Sequence, residues 1–176
     1  PAGTANGFAV RRGTNVSHWL SQSQRRGDER RLFFTREDVA LAAKLGFDHL
    51  RIPVDEEQLF DEAGRPVEEA FGLLDAALDW CAEQKLRAVV DLHILRSHHF
   101  NEGEKPLWRE AAAQERFLDL WRALSARLAR RPVDQVAYEV VAKRRITAKI
   151  NAYRTAFKRL SSNPRPRRPG PPPPPR

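Results

Sequence analysis

The spacing of apolar residues changes period several times along the chain. Residues 8–15 end a β-type run. Thr35-Arg-Glu-Asp38 then has the form of a capping box, in which the hydroxyl and carboxylate of positions three apart satisfy each other's amides. It opens a helix through Val39, Ala42 and Ala43 that stops at Gly46. Residues 48–54 (DHLRIPV) form a short strand closed by Pro53, and residues 61–66 a turn. Residues 67–85 place Leu74, Ala77, Leu78 and Cys81 on one helical face. Residues 86–92 are the next strand, and a polar loop over 94–106 leads to a helix striped by Phe117, Leu120 or Trp121, Leu124 and Leu128. Pro132 ends that helix, and residues 136–141 (VAYEVV) read as a fourth strand.

Strands and helices that alternate every ~40 residues predict an α/β protein with a parallel sheet and helical crossovers. A complete (β/α)8 barrel needs roughly 250 residues. The chain has 176, so the expected fold is an incomplete TIM (β/α)8 barrel, about the first four βα units. Trp80 and Trp121 sit within apolar helical patterns and are expected to pack, whereas Asp55-Glu56-Glu57 and Glu68-Glu69 are expected as a solvated loop and helix start.

Charge changes the picture only beyond residue 141. Up to Val141 there are 20 basic and 23 acidic residues; after it there are 11 basic residues and no acid, which accounts for the formal net charge of +8. Three segments are expected: 1–141 as the barrel half, 142–160 as a basic segment with helical spacing, and 161–176 as a disordered Pro/Arg tail ending in five prolines and an arginine. Tyr153 and Phe157 lie at i,i+4 in the basic segment, but that spacing arises readily by chance, so no nucleic-acid partner is expected. The tail also resembles a proline-rich ligand, a pattern that such composition produces cheaply. No apolar run approaches the ~18 residues of a membrane span, and no membrane partner is expected. The lone Cys81 has no intramolecular disulfide partner, and residues 1–10 lack a signal-peptide pattern.

In parallel barrels, chemistry resides at the C-terminal ends of strands. The residues there are Asn15, His18 and Trp19 after the first strand, Arg51 in the second, and His93 after the third. His93, His98 and His99 cluster but lack ligand spacing, so no metal is expected.

Four motifs stand in register over about 130 residues, the repeat length of several βα units: RGTNVSHWLSQ at 12–22, GFDHLRIP at 46–53, VVDLH at 89–93 and VAYE at 136–139. In that order and spacing they resemble the first four strand motifs of family 5 glycoside hydrolases, a group containing many endo-β-1,4-glucanases. The resemblance implies a cellulase-type glycosidase that cleaves β-glucosidic bonds in polysaccharides, uses no cofactor, and is secreted or periplasmic. It assigns Arg51 to orient and keep ionised a nucleophilic carboxylate. His93 and Asn15 would line the sugar subsite, and Trp19 and Trp108 would be stacking platforms.

A retaining glycosidase needs two carboxylates about 5–5.5 Å apart. The family places its acid/base in an Asn-Glu pair after strand 4 and its nucleophile on strand 7. Here Ala142 and Lys143 occupy the positions of the pair, and the nucleophile strand is absent from the sequence. Glu139 lies four residues earlier, ~13 Å lower at a strand's rise, and is expected inside the barrel wall. A chain truncated or frameshifted after about residue 141, without hydrolytic activity, is therefore expected. The other reading is a non-catalytic fragment that binds carbohydrate or a polyanion. An open half barrel would also leave two strand edges and an apolar interior uncovered, so self-association is expected.

Overall fold

In the computed structural model the described residues are 7–99 and 106–140. They build a four-stranded, all-parallel sheet in the order β1 (Gly13–Asn15), β2 (His49–Val54), β3 (Arg87–Leu92), β4 (Val136–Glu139). Between the strands lie α1 (Gly27–Phe33), α2 (Arg36–Lys44), α3 (Glu56–Leu59), α4 (Glu68–Glu83) and α5 (Ala111–Leu128), with a single 3-10 turn at Pro106–Trp108.

Side-chain alternation divides the sheet into two unlike faces. Leu50, Ile52, Val54, Ala88, Val90 and Leu92 are all buried on the helix side. There Tyr138 meets Trp121 of α5 edge-on at 5.6 Å. The opposite face, which was expected to be an apolar interior, carries Arg51, Asp91, His93 and Glu139 together with Val89 and Ala137.

Local chemistry accounts for the element ends. The capping box at Thr35 forms, with the Thr35 N–H donating to Asp38 Oδ2 at 2.8 Å. Gly46 (φ +79°) ends α2 in a Schellman turn: Phe47 N–H donates to the Ala42 carbonyl at 3.1 Å and Gly46 N–H to that of Ala43 at 3.0 Å. Lys85 (φ +58°) repeats the device after α4 without being glycine. Pro53 sits inside β2, not at its close. Its missing N–H faces the side on which β1 has already ended, because the Arg51 carbonyl and Asp55 N–H on that side bond to Val16 and Leu20.

Several expectations need correction. β1 is three residues long; upstream, the amides of Arg11 and Arg12 donate to the Asp48 carboxylate, which takes the place of a ladder. α1 was not anticipated, since GDERRLF has no apolar period; its inward residue is Arg30, which bonds Gln58 and Glu69. Asp55 and Glu56 are not solvated but buried, at the start of α3. Trp121 packs as expected, and Cys81 is buried on α4.

Candidate functional site

Arg51 is the hub of the polar face. Its Nε donates to Glu139 Oε2 at 2.6 Å, its Nη1 to Asn15 Oδ1 at 2.7 Å, and its Nη2 to Asp91 Oδ2. The same Asp91 oxygen lies 2.7 Å from His93 Nδ1. All four strands contribute: Asn15 pairs in register with Arg51, and Asp91 with Glu139, two residues further toward the C-terminal ends. Arginine reaches between these levels because its planar fork offers five N–H donors. Burial opposes the Arg51 charge, but the hydrogen bond to Glu139 and the charges of Asp91 and Glu139 outweigh it. The guanidinium therefore holds its proton more tightly than usual.

Two loops border this cluster. Asp55, one residue past β2, accepts from Ser21 Oγ at 2.7 Å and from the Gln22 amide at 2.6 Å, which ties the β1–α1 loop to the end of β2. Burial raises its carboxyl above the usual range against those two bonds. The tied loop holds His18 and Gln22 at positive φ (57° and 51°), a conformation that side chains rarely adopt outside functional or over-determined turns. The second loop follows β3 and carries His98 edge-on to Trp108, ring centroids 5.2 Å apart.

The residues named from sequence divide accordingly. Asn15, Arg51 and His93 are brought into one cluster. Trp108 lies half-buried on the second loop, beside His98. Trp19 is not a platform: it is 0% exposed, stacked in a tilted contact with Phe34, and its indole N–H donates to the Arg30 carbonyl at 2.9 Å. Turning inward there lets its large apolar area enter the core with its one polar atom satisfied. Glu139 is not sealed in the wall but 34% exposed and bonded to Arg51. Asp91 was missed, although its strand parity with His93 places it on the same face. Ala142 and Lys143 lie outside the described residues. Among the described residues no group of three or more His, Cys, Asp or Glu is arranged to hold a metal ion.

Three βα units and a fourth parallel strand, with a polar cluster at the strands' C-terminal ends, define part of a barrel of the enzyme-bearing (β/α)8 type. Residues 5–141 match the family model of cellulase, glycosyl hydrolase family 5, and the chain belongs to that family. It is 33% identical over 119 residues to Endoglucanase C of Acetivibrio thermocellus, covering 65% of this chain and 35% of that protein. With Cellodextrinase A of Ruminococcus flavefaciens it shares 28% over 132 residues, 74% of this chain and 39% of the relative. The chain thus spans little more than a third of these relatives. Among solved structures, a glycoside hydrolase superposes with a TM-score of 0.68 at 18% identity, covering 86% of this chain and 48% of that one. Thermotoga maritima Cel5A in complex with cellobiose superposes at 0.63, also at 18% identity, covering 86% and 46%. At that identity the likeness is one of fold.

Proposed function

We propose that this chain carries the substrate-positioning half of a site for cleaving β-glucosidic bonds, and that a polypeptide of these 176 residues binds β-glucan without hydrolysing it. The observation that carries the reading is the Arg51 cluster at the strand ends of a glycoside hydrolase family 5 domain. Arg51 retains donors beyond the three it uses, enough to hold a further carboxylate. Asn15 and His93 offer polar groups to sugar hydroxyls, and Trp108 a face on which a pyranose can stack. Asp91 and Glu139, the carboxylates of this face among the described residues, are engaged by Arg51. Neither stands ready as the second member of an acid/base and nucleophile pair.

The test is reducing-sugar release from a soluble β-glucan, paired with calorimetric titration of a cello-oligosaccharide. The expected result is binding, weakened by Arg51→Met, with no turnover. Glycosidase-like turnover abolished by Glu139→Gln would overturn the assignment of Glu139. We further propose self-association through the outer edges of β1 and β4, each of which pairs on one side only among the described residues. Sedimentation with thermal unfolding tests this. Association-linked folding raises the melting temperature with concentration, and a monomer melting independently of concentration would refute it.

A further inference from the structure

We propose that Asp55 and Glu56, consecutive buried acids at the end of β2, are positioning residues that set the two walls of the candidate site separately. Asp55 holds the loop after β1, Glu56 the loop after β3, and neither grip depends on the other.

Both residues are 1% exposed. Asp55 is still extended, at φ −96° and ψ 149°, and Glu56 begins α3. In an extended chain successive N–H groups point to opposite sides, so the two residues part toward different neighbours. The Asp55 N–H donates to the Leu20 carbonyl at 2.9 Å, and its carboxylate accepts from Ser21 Oγ at 2.7 Å and from the Gln22 amide at 2.6 Å. The Glu56 N–H donates to the Ile94 carbonyl at 2.8 Å, and its carboxylate accepts from the Arg96 amide at 2.9 Å, Arg96 Nη1 at 3.0 Å and Arg116 Nε at 2.6 Å. Each acid thus takes one loop by main chain and side chain at once. The first grip holds Gln22 at φ 51°, a left-handed conformation that a glutamine keeps only when its surroundings fix it. The second grip passes onward, because the Ser97 carbonyl next to Arg96 accepts from the Leu107 amide, beside Trp108, at 3.2 Å. The two grips also differ in chemistry. Ser21 offers a hydroxyl, which can donate or accept, whereas all three partners of the Glu56 carboxylate only donate. An amide in place of the acid is therefore tolerated at Asp55 and not at Glu56.

That these loops flank a sugar rests on the proposed function, whereas the two grips do not. The measurement is hydrogen–deuterium exchange of the native 176-residue chain, followed on peptides covering residues 18–25 and 94–98. Asp55→Ala should speed exchange of the first peptide roughly tenfold and leave the second unchanged, while Asp55→Asn leaves both protected. Glu56→Gln should speed the second and leave the first unchanged. Where a variant does not fold, Ser21→Ala and Arg96→Met remove one contact of each acid from the loop side and should give the same two patterns. Acceleration of both peptides by either substitution, or of neither by any, overturns the proposal, as does Asp55→Asn behaving like Asp55→Ala. Cellopentaose is then added. Protection of both peptides in the wild type, lost on one side only in Asp55→Ala and on the other in Glu56→Gln, supports both readings. The predicted pattern without protection by cellopentaose refutes the glucan reading and leaves the two grips standing. Protection by cellopentaose in a chain whose loops open together overturns the grips alone.

Discussion

Replacing Glu56 by glutamine removes one charge, at nearly constant shape, from the point where three elements meet. Glu56 is 1% exposed. Its Oε1 accepts from Arg96 Nη1 at 3.0 Å and Arg116 Nε at 2.6 Å, and its Oε2 from the Arg96 amide at 2.9 Å. The guanidiniums continue outward to the carbonyls of Phe60 and Glu62. Glu56 thereby joins α3 to the loop after β3 and to α5. A glutamine at this position must turn its NH2 toward one of the three donors, so a bond becomes a repulsive contact and two cations lose their counter-charge. Removing one partner of a fully buried ion pair costs about 3–5 kcal/mol. Arg96 and Arg116 are 36% and 34% exposed and can swing toward water. The expected loss is therefore lower, roughly 2–3 kcal/mol. Urea denaturation at fixed protein concentration, followed by tryptophan fluorescence, measures it. The double variant Glu56→Gln/Arg116→Met should be less destabilised than the sum of its singles, because the two share one interaction. A loss below about 0.5 kcal/mol with an unchanged denaturant slope, the range of ordinary surface substitutions, would refute the argument.

Three further outcomes are expected. Burial pushes the Cys81 thiol up to about 12, so a thiol reagent at pH 8 should label the native chain far more slowly than the denatured one; equal rates would contradict the buried placement. Burial opposes the charge of Asp75, but its bonds to Arg131 and Arg127 outweigh this and hold its carboxyl below 3.8. Its stabilisation is then present above pH 3.8 and lost as pH falls through the lower, folded value, so the stability gap between wild type and Asp75→Asn should narrow on acidification. A Cβ added at Gly13 would stand 2.3 Å from the His49 ring, so Gly13→Ala should cost ~1–3 kcal/mol, and much less in a His49→Ala background when both are compared by thermal melting.

Local signals in the sequence determined the elements whose causes are local. The Thr35–Asp38 box and Gly46 delimit α2 because caps and left-handed stops act within one turn. The i, i+3, i+4 spacing of Leu74, Ala77, Leu78 and Cys81 determined which face of α4 is buried, since helical geometry alone aligns those residues. Alternation along HLRIPV and RAVVDL was also enough to place Arg51 opposite Leu50 and Ile52. Tertiary structure decided what depends on neighbours distant in sequence. Trp19 follows a strand end, where a platform was expected, but the Arg30 carbonyl that draws it inward belongs to a helix with no apolar period, and the Phe34 ring it meets follows that helix. Glu56 reads as a solvated acid until Arg96 and Arg116, 40 and 60 residues away, meet it. Asp91 and Glu139 acquire their roles only because parallel pairing sets them level across adjacent strands, within reach of one guanidinium from a third. A buried charge is stable only with its partner, and the partner's position is a property of the fold.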